Sequence, residues 1–109
     1  MLELAEEKKA RRPRLLDLQG MNSYTDYILL LSATSDRHAR ALADHLQREM
    51  REQKEHALGK EGYETGQWIL VDFGDVIVHI LQEVARDYYD LDGLWIDAKK
   101  VAKEKKSAE

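Results

Sequence analysis

The apolar residues of this 109-residue chain follow two distinct patterns, which predict one long helix and several strands. From Asp36 to Lys54 the spacing is that of a single buried helical stripe. Its members are Ala39, Leu42, Ala43, Leu46 and Met50. Thr34 or Ser35 is expected to cap this helix, because short hydroxyl side chains accept hydrogen bonds from the first turn. Tyr27 to Leu31 is an almost unbroken apolar run, which predicts a strand covered on both faces.

The stretch from Trp68 to Leu81 predicts two strands joined by a tight turn at Phe73 and Gly74. A two-residue loop at this turn would pair Trp68 with His79 across the strands. One face of the hairpin is then entirely apolar and β-branched: Ile69, Val71, Val76, Val78 and Ile80. The other face carries Trp68, Leu70, Asp72, Asp75, Ile77 and His79. The first face favours a core, and the second is typical of a surface that contacts a partner.

Weaker patterns complete the chain. They predict a helix over Leu2 to Lys9 that is broken by the Arg11 to Arg14 stretch, strands at Leu15 to Leu18 and from Ala57, a helix over Gln82 to Tyr89, and a final amphipathic turn at Leu91, Leu94 and Trp95. The long helix between strands indicates a crossover, which usually joins parallel strands. We therefore expect one α/β domain over residues 1–97, with a mixed five-stranded sheet and flanking helices. Residues 98–109 are rich in lysine and predict a disordered tail.

Composition excludes several classes of protein. The chain has no cysteine, so disulfides, thiolate metal sites and cysteine catalysis are excluded. No apolar run approaches the roughly 20 residues of a membrane span, and the charged N-terminal stretch lacks the apolar core of a secretion signal. We expect a soluble, cytoplasmic protein without membrane contact.

The net charge of −4 conceals an uneven distribution along the chain. Residues 61–97 hold nine acidic side chains and a single basic one, Arg86. Such a surface repels phosphate backbones, so a basic partner protein is favoured and contact with RNA is expected to be at most peripheral. The alternative is that the acidic residues serve only solubility.

The candidate catalytic chemistries find little support. His38 and His45 lie two helical turns apart and have no third ligand between them, so no metal site is predicted. A mixed sheet with acidic strand ends is typical of nucleotidyl transfer, where paired carboxylates hold metal ions. Here Asp26 stands alone, and Asp72 and Asp75 lie across a turn. We expect no enzyme and no cofactor, with a nucleotide-binding enzyme as the remaining alternative.

Four residues of the mixed hairpin face also have simpler structural explanations: Asp72, Asp75, Trp68 and His79. That of His79 is stacking on the indole of Trp68. Asp is common around tight turns, and a strand tryptophan is often half-buried against its own domain. Together, however, an aromatic anchor beside aliphatic residues with a carboxylate rim has the anatomy of a protein-binding hot spot.

Three groups of residues resemble one known family, the ribosomal silencing factors or iojap-like proteins. The first group is Ser23 to Tyr27 followed by Thr34 to His38 and Ala41 to Asp44. The second is Glu61-Gly62 followed by Trp68 to His79, and the third is Tyr88 to Leu91 with Leu94 and Trp95. The resemblance spans roughly Leu15 to Trp95, with the groups in order and at the expected spacings.

The resemblance implies a function that no spacing shows. Members of the family bind the large ribosomal subunit through its fourteenth protein, at the face where the small subunit docks, and so repress translation. Organellar relatives assist large-subunit assembly, which is an alternative role here. The family fold is similar to that of nucleotidyltransferases without their active site. Family members are often dimeric when free, so a homodimer is a further expectation.

These implications and the hairpin pattern lead to one set of expected partner-binding residues. Trp68 is the expected anchor, with Leu70 and Ile77 as its apolar surround. The carboxylates of Asp72, Asp75 and Glu61 are expected to pair with Lys or Arg of the partner, and Tyr63 and His79 are expected at the rim. The expected mechanism is steric occlusion.

Overall fold

The apolar run after Asp26 forms strand β2 (Tyr27–Ala33), which lies inside a mixed sheet and is buried along almost its whole length. The computed structural model describes residues 1–20, 25–89 and 99–100. The other elements are α1 (Leu2–Glu7), β1 (Arg11–Asp17), α2 (Asp36–Glu52), β3 (Gly59–Glu61), β4 (Trp68–Asp72), β5 (Val76–Gln82), α3 (Glu83–Tyr89) and β6 (Lys99–Lys100). The expectation of a mixed α/β sheet with flanking helices is confirmed.

The strands lie in the order β3-β4-β5-β2-β1-β6, with β2 and β5 parallel and every other neighbouring pair antiparallel. All five predicted strands are present. The sixth, β6, pairs Lys100 with Leu16 of β1, so the expected lack of structure from residue 98 onward is wrong at Lys99 and Lys100. The rest of that tail and the predicted turn at Leu91, Leu94 and Trp95 lie outside the described residues.

Helix α2 begins where the sequence predicts, because the Ser35 hydroxyl accepts the His38 backbone N–H at 3.0 Å and caps the first turn. Its apolar stripe covers one face of the sheet. The resulting core includes Ala39, Leu42, Ala43 and Leu46 of the helix with Leu29, Leu31, Ile69, Val71, Val78 and Ile80 of the sheet. A second, smaller cluster on the opposite face contains Leu16, Leu18, Ile28, Leu30 and Leu81. Strand β2 contributes to both clusters, as its unbroken apolar run predicts.

The predicted register of the β4–β5 hairpin is wrong by two residues. Trp68 pairs with Leu81, and His79 pairs with Leu70. The tight turn is therefore displaced by one residue, to Gly74 and Asp75, and the Phe73 N–H donates to the Val76 backbone oxygen across it at 2.9 Å. The backbone oxygen of Asp75 accepts hydrogen bonds from Asp26 and Tyr27, which anchors the start of β5 to β2. A shift of an even number of residues leaves each side chain on the same face, so the predicted division into two faces still holds within the strands.

Three boundaries near the N-terminus and the sheet edge also differ from the prediction. Helix α1 ends at Glu7 rather than Lys9. Strand β1 begins at Arg11 instead of Leu15, with an irregularity in its pairing between Arg11 and Arg14. Pro13 lies within this irregularity, where its missing N–H costs no ladder hydrogen bond. Strand β3 begins at Gly59, two residues later than expected.

Candidate partner-binding face

The sheet face opposite α2 carries most of the predicted partner-binding residues near one edge. Glu61 of β3 pairs with Leu70 of β4, which pairs in turn with His79 of β5. Directly paired residues share a face, and alternation along β4 adds Trp68 and Asp72. We call the surface formed by Glu61, Trp68, Leu70, Asp72 and His79 the Trp68 face.

An open depression of about 300 Å³ lies on this face, lined by Glu61, Gly62, Trp68 and Leu70. Trp68 packs against the apolar cluster of this face but keeps part of its surface exposed, as does Leu70. Glu61 is exposed. The depression therefore combines aromatic and aliphatic surface with one carboxylate, an arrangement suited to a side chain with an apolar stem and a positive end.

Trp68 and His79 form a direct hydrogen bond in which the indole Nε1–H donates to Nδ1 of the imidazole at 3.0 Å. Their ring centroids lie 5.9 Å apart, with the planes inclined at 45°. Burial lowers the pKa of His79 to about 4, because an imidazolium is costly to hold away from water. His79 is therefore neutral at physiological pH.

The acidic residues differ in how far they are available to a partner. Asp72 is partly buried, and its Oδ1 accepts the backbone N–H of Gly74 at 2.7 Å, which is the local turn role expected of aspartate. Asp75 is exposed in the adjoining turn, and only its backbone oxygen is engaged in the sheet. Asp75 and Glu61 are thus the better placed to meet a cation.

The prediction that Ile77 is a surface contact is wrong, because its side chain is only 4% exposed. Ile77 pairs with Asp72 on one side and with Ile28 on the other. Strand β5 is central in the sheet, so each of its side chains is flanked by residues from two neighbouring strands. Ile77 belongs to the core.

The prediction that Tyr63 borders the same surface is also wrong. Tyr63 packs against the core cluster on the α2 side of the sheet, and its hydroxyl donates to Asp44 Oδ2 at 2.9 Å. This hydrogen bond raises the pKa of Tyr63. Lys60 lies over the tyrosine ring, 4.1 Å from its centroid. Gly62, with a φ of 78°, interrupts the extended backbone after Glu61, so Tyr63 does not follow Glu61 onto the Trp68 face by strand alternation.

The histidines have separate structural roles. His38 Nδ1 accepts the backbone N–H of Thr34 at 2.9 Å, which leaves the proton on Nε2 to donate to Lys8 O at 2.8 Å. The buried His45 bonds to Glu7 at 3.0 Å. Across the described ranges, no group of three His, Asp or Glu side chains is arranged to hold a metal ion. No helix in these ranges has the length and apolar character needed to cross a membrane.

A family model described as "Ribosomal silencing factor during starvation" matches residues 1–109 of the chain. A ribosomal silencing factor RsfS from Chromobacterium violaceum is 36% identical over 94 residues, covering 86% of this chain and 77% of the relative. The chain belongs to the ribosomal silencing factor family.

Other relatives of the family extend the comparison. A crystal structure of a Chromobacterium violaceum protein superposes with a TM-score of 0.82 at 36% identity, covering 85% of this chain and 78% of that one. A mouse protein named "Mitochondrial assembly of ribosomal large subunit protein 1" is 29% identical over 98 residues, covering 87% of this chain and 43% of the mouse protein. The family's names thus connect this fold with the ribosome.

The structure of this family member contains a supporting residue that the sequence reasoning did not single out. Arg86 of α3 is 1% exposed, and its Nη1 donates to Arg12 O at 2.6 Å and to Ser32 Oγ at 3.0 Å. Arg86 thereby ties α3 to β1 and β2. Arg86 is the single basic residue among nine acidic ones in residues 61–97, which marks it as unusual in the sequence. A count of charges does not indicate, however, that its side chain is buried.

Proposed function

We propose that this protein represses translation by binding the large ribosomal subunit through its fourteenth protein and blocking attachment of the small subunit. The Trp68 face, together with Asp75, makes the contact. The observation that carries the proposal is the partly exposed indole of Trp68, placed beside Leu70 and the Glu61 carboxylate around an open depression. Large aromatic side chains in such settings commonly dominate the binding energy of an interface.

Charge favours a basic ribosomal protein as the direct partner. Glu61 and Asp75 are exposed on or beside the docking face, and residues 61–97 as a whole are strongly acidic. An acidic surface attracts Lys and Arg side chains during encounter and repels the phosphates of ribosomal RNA. Residues 1–97 form the binding unit, and the lysine-rich segment 98–109 adds at most a peripheral contact with RNA.

The mechanism is steric and involves no catalysed reaction. A small domain seated where the two subunits meet prevents their association for as long as it stays bound. The protein acts in the cytoplasm, where the ribosomes translate. When free, two copies associate through the Trp68 face, which leaves this apolar surface covered until a ribosomal partner competes for it.

Co-sedimentation tests the proposal directly. The protein should pellet with isolated bacterial large ribosomal subunits and not with small ones, and large subunits loaded with it should fail to form 70S particles when small subunits are added. Pelleting without any effect on subunit joining would remove the occlusion mechanism. Failure to pellet would remove the ribosomal partner.

A substitution at the anchor locates the contact. Trp68→Ala should weaken binding to large subunits by about 2–4 kcal/mol, the scale of a hot-spot residue. Val84→Ala is a suitable control, since Val84 is 83% exposed on α3 and lies on a different element. Equal affinity of the two variants would take Trp68 out of the docking site. Circular dichroism spectra would confirm that both variants fold.

Large-subunit assembly is a second candidate function, favoured by the name of the mouse relative, "Mitochondrial assembly of ribosomal large subunit protein 1". The two functions use the same partner and differ in timing. Under the first, adding the protein to mature ribosomes should divide them into subunits as they recycle. Under the second, mature ribosomes should sediment unchanged, and removing the protein from cells should cause large-subunit precursors to accumulate.

A further inference from the structure

Residues Trp68 and His79 are diagonal neighbours on the two strands of the hairpin. Trp68 pairs directly with Leu81, and Leu70 pairs directly with His79. A diagonal separation on one face is within reach of long aromatic side chains, and here it brings the indole Nε1 to 3.0 Å from the imidazole Nδ1.

The chemistry of the two rings fixes the direction of this hydrogen bond. An indole nitrogen can only donate, so the Nδ1 of His79 must carry a lone pair and its proton must reside on Nε2. The low pKa of His79, caused by its burial, keeps the ring in this neutral form at physiological pH. The acceptor is therefore available to the indole at physiological pH.

The position of His79 in the sheet makes the acceptor rigid. Strand β5 lies between β4 and β2, and His79 pairs with Leu70 on one side and Leu30 on the other. Trp68 lies on β4, which is separated from the edge of the sheet only by the three-residue strand β3. The imidazole of His79, held on a central strand, thus restrains the indole of Trp68, which lies closer to the edge of the sheet.

We propose that His79 is a positioning residue that holds the indole of Trp68 in one orientation, so that the docking face is already formed before a ribosomal partner arrives. This inference rests on the proposed function. A side chain that is already ordered before binding loses less conformational entropy when the partner binds. The entropy saved for one such side chain corresponds to an affinity about threefold to tenfold higher. His79 contributes to affinity through Trp68 and needs no contact of its own with the partner.

Three substitutions separate hydrogen bonding from simple filling of space. In His79→Asn the side-chain oxygen can occupy the position of Nδ1 and accept the indole N–H. In His79→Gln the acceptor lies one bond further out, near the position of Nε2, and in His79→Leu it is absent. If His79→Leu fails to fold, the Asn and Gln variants still provide the comparison.

The readouts are the affinity for isolated bacterial large ribosomal subunits and the ¹H–¹⁵N resonance of the Trp68 indole. The chain has two tryptophans, so a Trp95→Phe variant assigns the signals. We expect His79→Gln and His79→Leu to bind about threefold to tenfold more weakly, with the indole proton shifted upfield and exchanging faster with water. His79→Asn should remain within about twofold of the unsubstituted protein in affinity and should keep its indole signal.

Two results would overturn the inference: affinities unchanged in all three variants, or a loss that is equal in the Asn, Gln and Leu variants. If the unsubstituted protein does not pellet with large subunits, the proposed function fails, and the spectra then decide the role of His79 separately. An indole resonance that is the same in His79→Leu as in the unsubstituted protein would show that His79 does not orient Trp68.

Discussion

Gly62 lies against the backbone of Trp68, so close that a Cβ added to the glycine would overlap the carbonyl oxygen of Trp68. Gly62 also has a φ of 78°, a conformation that side chains disfavour. The glycine therefore allows the chain to leave β3 in close contact with the backbone of Trp68, at one end of the Trp68 face. The family motif residue Gly62 has a steric reason for being a glycine.

Gly62→Ala should lower the free energy of unfolding by at least about 2 kcal/mol, since it combines backbone strain with a clash against main-chain atoms that cannot easily move. Two other glycines separate these causes. Gly20→Ala meets a φ of 81° but no atom within 4 Å, and we expect about 1 kcal/mol. Gly59→Ala meets neither obstacle and should stay within about 0.5 kcal/mol. Urea unfolding measures all three, and equal values for Gly62→Ala and Gly59→Ala would contradict the geometry.

Asp75 offers a test of electrostatic attraction that leaves the fold intact. Its carboxylate is exposed, and only its backbone oxygen is used by the sheet. Asp75→Lys should slow association with large ribosomal subunits on the order of threefold to tenfold at low ionic strength, and the effect should shrink at high salt because ions screen exposed charges. Stopped-flow measurements can follow this rate.

Glu55→Lys makes the same change of charge at an exposed residue beyond the end of α2, away from the Trp68 face. An equal slowing by Glu55→Lys would indicate that only the net charge of the protein matters. A difference confined to Asp75→Lys supports a local contact. Asp72 is less suitable for this test, because its carboxylate also stabilises the turn at Gly74.

The partly buried imidazole of His79 predicts a loss of stability in mild acid. Its pKa is about 4 in the folded protein and about 6.5 in an unfolded chain. Between these values the unfolded state binds more protons, so the free energy of unfolding falls as the pH is lowered from 6.5 toward 4. The contribution lost is at most about 3 kcal/mol.

Urea unfolding of the unsubstituted protein and of His79→Leu, at intervals from pH 7 to pH 4, isolates this contribution. The stability of the unsubstituted protein relative to the variant should decline across the interval and level off below pH 4. A constant difference between the two proteins would show that His79 takes up its proton at the same pH in both states.

Arg86 should be among the residues least tolerant of substitution. Arg86→Met removes a buried cation together with the hydrogen bonds to Arg12 O and Ser32 Oγ, and leaves those acceptors without their donor. We expect a loss of about 3 kcal/mol in the free energy of unfolding. Arg37→Met, at an exposed position of α2, is the matched control and should change stability by less than about 0.5 kcal/mol. Thermal denaturation measures both variants, and equal melting temperatures for Arg86→Met and Arg37→Met would contradict this prediction.

Local patterns were sufficient for several parts of the fold. The buried stripe of α2 and its Ser35 cap follow from side-chain spacing within one helix, and the two faces of the hairpin follow from alternation along each strand. Alternation also placed Trp68, Leu70, Asp72 and His79 on a common face. None of these features depends on where another segment of the chain lies.

The errors arose where a third segment of the chain intervenes. The backbone of β2 bonds to Asp75 at the start of β5, and the hairpin turn lies at Gly74 and Asp75, one residue later than predicted. Pairing with β2 also buried Ile77, whose sequence pattern is that of a surface residue. Tyr63 is adjacent in sequence to the β3 residues, but the turn at Gly62 and the carboxylate of Asp44 hold it on the side of α2.

The sequence by itself determined the family, the elements and which side chains share a face, because these depend on residue identities and on spacings of a few residues. Only the tertiary structure decided which members of that face reach solvent, that the indole of Trp68 donates to His79, and that Arg86 is buried. Those facts depend on how strands distant in sequence are ordered in the sheet, since burial and hydrogen bonding are properties of neighbours in space.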